Sequence, residues 1–238
     1  AESELIAFLE LLKKIKPSIL TWLIFHKEEI TTSKKWILLA RKYLQKYDRS
    51  IKIGSGTNVL FTDLNRSTAS FEDMDLVCYS INPQVHAFDN LSLIETLSAQ
   101  PETVKSARQF SNDKFVAVSP ITLKMRFNPF ATSPETELKS NQLPSQVDVR
   151  QMSLFGAGWT VGSLKYLCES EAYSLTYYET TGWRGVMETQ YGSPIPEKFY
   201  SFKESVFPLY HVFADVGEFA DGEIISTSSS NPLKINGL

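Results

Sequence analysis

Residues Ser174–Gly185 read SLTYYETTGWRG and are typical of a buried strand that runs into a polar loop. The run Leu175–Tyr178 is apolar, aromatic or β-branched, as a strand inside a parallel sheet requires, and a Thr-Thr-Gly segment ends it soon afterwards. Glu179 therefore lies where the strand ends. Because strand residues alternate between two faces, we expect Leu175, Tyr177 and Glu179 to share one face, with the Glu179 carboxylate pointing into the mouth of the sheet.

Trp183 and Arg184 follow Glu179 on a loop flanked by Gly182 and Gly185. They place a flat apolar ring and a fixed cation beside the carboxylate, an arrangement typical of a site for a polyol or a sugar-like ligand. A structural alternative fits the same residues, in which Glu179 pairs with Arg184 only to secure the end of the strand. The local sequence leaves both interpretations open.

The chain as a whole alternates strand-like apolar runs with helix-like stretches. The predicted strands cover residues 19–25, 51–53, 76–81, 115–118, 175–178 and 223–226. The predicted helices cover residues 5–15, 33–44, 92–110, 149–169 and 209–216. This alternation indicates an α/β fold with a parallel sheet, and both an open doubly wound sheet and a (β/α)8 barrel satisfy it.

Polar clusters after successive strands favour the barrel, because all strand ends of a barrel converge on one mouth. The clusters are His26/Lys27/Glu28, Asn58/Asn65/Arg66, His86/Asp89, Arg126/Asn128 and Glu179/Trp183/Arg184. About two strands are missing from the eight that a barrel needs. We therefore predict a single TIM barrel domain over residues 1–238 that lacks its N-terminal one or two strands in this chain.

Two loop-like segments are candidates for a functional role. The GSGT sequence at residues 54–57 follows the short predicted strand but lacks both the Walker spacing and its lysine, which argues against a phosphate loop. Residues 129–148 are rich in Pro, Thr and Ser and have no apolar period. Loops of this length in compact domains are commonly functional, so we expect this one to lie on the active-site side.

The composition argues against several classes of protein. The formal net charge is -3, and the basic residues are scattered instead of forming the stripe that a nucleic-acid-binding surface needs. No apolar run has the length of a membrane span, and no signal peptide is visible, so we expect a cytoplasmic protein with no membrane partner. Cys78 and Cys168 lie in apolar contexts without a metal-binding neighbour, and we expect both to be reduced and unlinked.

Several longer runs carry a family resemblance. These are GSGTNVLFTDLNR, SINPQVHAFDNLSLIET, SPITLKMRFNP, DVRQ and TYYETTGWRGVME. Over roughly residues 51–188 the chain resembles the D-apionate lactonase family, sugar-acid lactonases that are similar to the (β/α)8 glycosidase clan. In that clan a Glu ending the seventh strand is the nucleophile, and Glu179 matches it. The clan's acid/base Glu ends the fourth strand, and the matching segment Gly54–Asn58 contains no Glu.

The resemblance implies a lactone hydrolase. A lactone carbonyl is already electrophilic, so one base or nucleophile, donors for the oxyanion and an acid for the leaving alkoxide suffice. We assign Glu179 as base or nucleophile and His86 as the acid, oriented by Asp89. Substrate contacts are expected from Asn65, Arg66, Asp89, Arg126, Tyr177, Trp183 and Arg184. The expected partner is a small sugar lactone, with no cofactor.

Two alternatives to a lactonase stay open at the level of sequence. A retaining glycosidase would need Glu28, Asp63 or Asp89 within about 5.5 Å of Glu179. A catalytically silent sugar-binding barrel would fit an incomplete set of strands, which leaves open sheet edges. A metal site could draw on His26, Glu28, His86 and Glu179, but no pair among them has ligand-like spacing, so we expect no metal.

Overall fold

The computed structural model describes residues 2–67, 69–131 and 141–238. Its helices are α1 (Glu2–Ile15), α2 (Lys34–Leu44), α3 (Phe61–Arg66), α4 (Asn90–Glu95), α5 (Gln100–Phe110), α6 (Leu154–Glu169) and α7 (Pro208–Glu218). Its strands are β1 (Thr21–Leu23), β2 (Lys52–Leu60), β3 (Leu76–Ile81), β4 (Phe115–Ile121), β5 (Ser174–Tyr177), β6 (Glu179–Thr181) and β7 (Gly185–Met187). Two 3-10 helices, Thr96–Ala99 and Val149–Met152, precede α5 and α6.

Five of the strands form one parallel sheet in the order β1-β2-β3-β4-β5. Thr21 pairs with Lys52 and Gly54 with Leu76, so each strand lies beside its neighbour in the sequence. The parallel α/β prediction is confirmed. A doubly wound sheet reverses its strand order at a switch point, whereas a barrel keeps consecutive order, and the order seen here is that of a barrel. The remaining strands, β6 and β7, form a separate parallel pair.

The chain divides into two compact units. One holds the chain through Ile81 together with Lys105–Ser119, and the other holds Asn82–Val104 and the chain from Pro120 onward. The second unit contains most of the predicted site residues; Asn65 and Arg66 belong to the first. The expectation of a single barrel domain remains a prediction.

The core of the first unit is built on β2 and β3. Leu76, Val77, Cys78 and Tyr79 are fully buried, because β3 lies between two other strands and carries apolar side chains on both of its faces. A second cluster joins Leu12 of α1 to Ala40 and Leu44 of α2, which are the helical-period positions that the sequence indicates.

The core of the second unit is built on α6. Most of its residues from Gly156 to Leu167 are buried, and Trp159 donates a hydrogen bond from Nε1 to the carbonyl of Leu93, 3.0 Å away. Gly162 lets α6 approach closely, because a Cβ at this position would lie 2.7 Å from a methyl group of Leu97. Small residues therefore fix how near this helix comes to the segment before α5.

Strand β2 is longer than the predicted strand at 51–53, since the glycines that seemed to end it lie inside it. A Cβ at Gly54 would lie 2.5 Å from Cγ of Leu76 on β3. Gly56 has φ +140, and a Cβ there would lie 2.3 Å from the carbonyl oxygen of Cys78. The register between β2 and β3 shifts just after Gly56. These glycines therefore permit close strand packing at an irregularity in the ladder.

We expect Gly56→Ala to lower the free energy of unfolding by about 2 kcal/mol or more, because the added methyl group meets backbone and the φ is unsuited to an L-residue. At about 2–4 °C per kcal/mol, the melting temperature should fall by at least about 4 °C. Gly158→Ala is the matched control: this helical glycine has no described atom near the added Cβ, so a gain of about 0.5–1 kcal/mol is expected. Equal melting temperatures for the two variants would contradict the role of Gly56 in the close packing of β2 against β3.

Other predicted elements differ from the structure as well. The strand predicted at 19–25 covers only Thr21–Leu23. The helix predicted at 92–110 is divided into α4, a 3-10 turn and α5, and Pro101, which lacks an N–H donor, lies in the first turn of α5. The strand predicted at 223–226 is wrong, because this segment has no ladder partner in the described structure. It is followed at once by Thr227, whose backbone binds the Lys165–Glu169 pair of α6.

The remaining predictions concern the loop, the cysteines and membrane insertion. Within the loop predicted at 129–148, residues 132–140 lie outside the described part of the chain, and the described remainder has no helix or strand. Cys78 and Cys168 are both free, as predicted. Burial raises the pKa of the Cys78 thiol to about 12. Among the described helices, none is both long enough and apolar enough to cross a membrane.

Candidate active site

Glu179 and Arg184 form the ion pair that the sequence allowed. Their side chains approach to 2.8 Å between Oε1 and Nη2, and the Glu179 amide donates to the Arg184 carbonyl at 2.9 Å. The two contacts close the short β6–β7 pair, whose register sets Glu179 opposite Gly185. Both side chains are about two-fifths exposed, so the carboxylate keeps contact with solvent while the guanidinium orients it. This geometry is compatible with the structural and with the catalytic interpretation.

The side-chain alternation expected around Glu179 is interrupted at Tyr178. This residue has φ +50, in the left-handed region, and strand β5 ends just before it. The Tyr177 hydroxyl lies 2.8 Å from Oγ of Ser163, and the Tyr178 hydroxyl lies 2.8 Å from Oγ1 of Thr160. Both partners belong to α6, whereas consecutive residues of a regular strand point to opposite faces.

Leu175, Tyr177 and Glu179 line one groove, but they do not belong to one regular strand as the alternation predicts. The left-handed conformation of Tyr178 resets the alternation, so Glu179 starts a new strand instead of continuing β5. Burial raises the pKa of both Tyr177 and Tyr178 well above the usual range, although hydrogen bonds to Ser163 and Thr160 oppose this effect. Both hydroxyls therefore stay protonated and can serve as donors.

A groove of about 670 Å³ opens beside Glu179. One wall consists of residues 175–180, which include Tyr177, Tyr178 and Glu179. The other consists of Tyr210, Phe213 and Ala214 of α7, and Val186 of β7 also lines the groove. The volume is in the range of sites for small ligands. One carboxylate among apolar and aromatic groups is the composition expected where a sugar-like molecule presents both ring faces and hydroxyls.

The proposed acid, His86, is exposed on the segment between β3 and α4, and it is not among the described residues that line this groove. Asp89 caps α4 instead of orienting His86. Its Oδ1 accepts from the Ser92 amide at 3.0 Å, and its Oδ2 accepts from the Ser92 hydroxyl at 2.7 Å. These hydrogen bonds lower the pKa of Asp89. The predicted Asp89–His86 relationship is replaced by an N-cap, a common use of Asp at this position.

The segment that carries His86 is held by Arg150, a residue that the sequence interpretation left without a role. Its guanidinium makes a two-pronged ion pair with Asp148, with Nη2 2.7 Å from Oδ2 and Nε 2.9 Å from Oδ1. The same guanidinium donates to Gln84 Oε1, the Phe88 carbonyl and Asn90 Oδ1. The DVRQ run had marked these positions, but only the structure shows that they fix the segment around His86.

The other predicted site residues are dispersed. Trp183 donates from Nε1 to Oγ of Ser193 at 3.0 Å and packs against Phe199, so much of its ring is used within the fold. Arg126 is exposed in the loop after β4. Asn65 and Arg66 are exposed at the end of α3 in the first unit. The structure thus brings together Tyr177, Glu179 and Arg184.

Glu188 is a buried carboxylate that the sequence interpretation missed. Its Oε1 accepts from the Thr189 amide at 2.7 Å, and its Oε2 accepts from the Ser201 hydroxyl. Its own amide donates to the Ser205 carbonyl. Glu188 therefore joins the two ends of the long loop from 188 to 205, a structural use for which a single Glu at a strand end gives no advance signal.

The metal alternative finds no support in the described ranges, where no group of three or more His, Cys, Asp or Glu side chains is placed to hold an ion. His26 stacks on Trp36 with ring centroids 4.3 Å apart. Glu28 lies 3.6 Å from the Lys27 ammonium on the surface. Of the carboxylates considered for a glycosidase, Glu28 and Asp63 belong to the first unit, and Asp89 is the α4 cap.

Comparison with known sequences identifies a family. A family model described as D-apionate lactonase, TIM barrel domain, matches residues 29–221. A D-apionate lactonase from Brucella anthropi is 40% identical over 81 residues. That alignment covers 34% of this chain and 13% of the Brucella protein, so the match takes in a small part of the relative's length.

Comparison with solved structures agrees on the architecture. A Ruminococcus gnavus β-glucuronidase matches with a TM-score of 0.57 at 11% identity, over 94% of this chain and 36% of that one. A β-glucuronidase from an uncultured Clostridium sp. matches with a TM-score of 0.52 at 13% identity, over 90% of this chain and 36% of that one. At such low identity the likeness shows the fold alone.

Proposed function

Because the chain belongs to the D-apionate lactonase family, we propose that it acts in the hydrolysis of a sugar-acid lactone, of the kind that converts D-apionolactone to D-apionate. The observation that carries the proposal is the Glu179 carboxylate, which is oriented by Arg184 and lines a groove of ligand size. The same family membership supports the (β/α)8 architecture, to which the five parallel strands would belong.

We assign Glu179 the role of base or nucleophile. As a base, the carboxylate removes a proton from water as the water oxygen attacks the lactone carbonyl. The carbonyl π electrons move to oxygen, and we assign Arg184, the ion-pair partner of Glu179, the stabilisation of that negative charge. Collapse of the tetrahedral intermediate then breaks the ring C–O bond.

The leaving alkoxide needs a proton, and we assign this step to His86. Its imidazolium would donate the proton to the ring oxygen, which gives an open-chain hydroxy acid. His86 is exposed on the segment that Arg150 holds, so the assignment requires the substrate to extend from the groove to that segment. A neutral water as proton donor is the simpler alternative, and His86→Ala distinguishes the two through the loss or retention of kcat.

The test is acid release at constant pH from a branched sugar-acid lactone, with an aryl β-glucuronide assayed in parallel. We expect saturable acid release from the lactone and no aryl glycoside cleavage. Cleavage of the glycoside alone would make the protein a glycosidase. Binding of the lactone without either reaction, detected by calorimetry, would make it a carbohydrate-binding barrel.

A further inference from the structure

We infer that Tyr178 and Thr160 form a positioning pair that sets the direction of the Glu179 carboxylate. The inference rests on the proposed function of Glu179. It concerns two residues that line or support the end of β5 and that the family resemblance leaves without a role. Neither residue is assigned contact with the reacting atoms.

The first observation is the conformation of Tyr178. A buried, bulky residue seldom adopts a φ of +50, and such outliers persist only where surrounding contacts hold them. The Tyr178 ring packs against Phe213 and Tyr177, and two hydrogen bonds also act on this residue. Its amide donates to the Ile121 carbonyl at 3.1 Å, which keeps the backbone against β4, and its hydroxyl reaches Thr160 on α6.

The second observation is the direction of those hydrogen bonds. The Thr160 hydroxyl donates to the Gly156 carbonyl at 2.7 Å, one turn earlier in α6. Its single proton is therefore used, and the Tyr178 hydroxyl must be the donor in the 2.8 Å contact with Oγ1. In this series of hydrogen bonds, Tyr178 donates to Thr160 and Thr160 donates to the Gly156 carbonyl, so both hydroxyl protons are used. The series ends on helix backbone and therefore holds the tyrosine ring in one place.

The third observation is the placement of Glu179, the residue directly after Tyr178. In unbroken alternation, Glu179 would share the side of Tyr177, whose hydroxyl bonds to Ser163 of α6. Because Tyr178 also turns toward α6, the alternation is reset. Glu179 begins β6 and pairs with Arg184, and it lines the groove together with the rings of Tyr177 and Tyr178. The Tyr178–Thr160 bond thus holds the backbone conformation on which the position of the carboxylate depends.

The test compares Thr160→Val, which keeps the shape but removes the hydroxyl that accepts from Tyr178 and donates to Gly156, with Thr160→Ser, which restores that hydroxyl. A shift of about 1 Å in a reacting group can cost about a hundredfold in rate. We expect Thr160→Val to lower kcat for lactone hydrolysis at least tenfold with KM within about twofold, and Thr160→Ser to restore most of kcat. Ser163→Ala, which removes the partner of Tyr177 and the donor to Gln100 Oε1 one turn away on α6, should leave kcat within about threefold.

A second variant covers the case in which Thr160→Val fails to fold. Tyr178→Phe removes the donor and leaves the Thr160–Gly156 bond intact, so it should lower kcat to a similar degree, and combining it with Thr160→Val should add little. Normal kcat in Tyr178→Phe, with Glu179→Gln inactive, would overturn the positioning role and leave the function of Glu179 standing. Full activity of Glu179→Gln would overturn the proposed function itself, and the positioning role with it.

Discussion

Replacing Glu179 with glutamine is expected to lower kcat for lactone hydrolysis by about 10²–10⁴-fold, with KM nearly unchanged. The amide keeps the shape of the side chain and can still accept a hydrogen bond from Arg184, which lies 2.8 Å from the carboxylate. It can neither remove a proton from water nor attack a carbonyl. The loss should therefore fall on the chemical step.

The structural interpretation of the same ion pair predicts the opposite result. If Glu179 serves only to hold Arg184, the amide does so as well, and kcat should stay within about tenfold, or about 1.4 kcal/mol of barrier. Any cost would then appear as a lower melting temperature. An exposed pair of this kind contributes little stability, about 0–1 kcal/mol, so even that cost should be small.

Both kcat and the melting temperature are to be measured on the same preparation of Glu179→Gln. Glu223→Gln removes one negative charge from an exposed position and is the control for the change in net charge. Near-normal turnover in Glu179→Gln would rule out the catalytic role, whether or not the melting temperature falls slightly.

The parts of the fold that could be predicted from the sequence are those in which local pattern and tertiary packing agree. Strand β3 has its predicted bounds of 76–81, because a short apolar run of this kind is typical of an inner strand of a parallel sheet, which is buried on both faces. Helix α2, Lys34–Leu44, lies within its predicted range of 33–44, because its apolar residues recur at helical spacing and are buried on one side. The length of strand β2 could not be predicted, because glycine is locally typical of a strand end. The close packing of Gly56 against Cys78, which keeps the glycine inside the strand, is a tertiary contact.

The site was harder to predict because its geometry depends on one backbone conformation. Nothing in a Tyr-Tyr-Glu sequence signals that the second tyrosine has a positive φ, since the reason lies in Thr160, distant in sequence, and in Ile121 on β4. An N-cap role for Asp89 could have been predicted, because a Ser stands three residues after it and a helix follows. The proline of α5 was likewise a visible signal for a break in the predicted helix at 92–110.

Arg150→Met is expected to produce the largest loss of stability among the variants considered. The Asp148 side chain is only 5% exposed, and removing its cation leaves a buried carboxylate with hydrogen bonds from Gln84 Nε2 and the residue-150 amide alone. Removing one partner of a buried ion pair costs about 3–5 kcal/mol, which corresponds to a fall in melting temperature of roughly 6–20 °C. Lys13→Met, which removes an exposed pair with Glu10, should cost under about 1 kcal/mol.

The pH dependence of this loss gives a second, independent check. Burial by itself would raise the pKa of Asp148, but hydrogen bonds from Arg150 and Gln84 outweigh it and leave the pKa below its ordinary value. A carboxyl group with a depressed pKa contributes stability that is present above its unfolded pKa of about 3.9 and is lost as the pH falls through the folded pKa. The gap in melting temperature between wild type and Arg150→Met should therefore be full at neutral pH and narrow below about pH 4. A gap that stays constant over this range would mean that Arg150 stabilises the fold through its contacts with Phe88 and Asn90, not through the charge of Asp148.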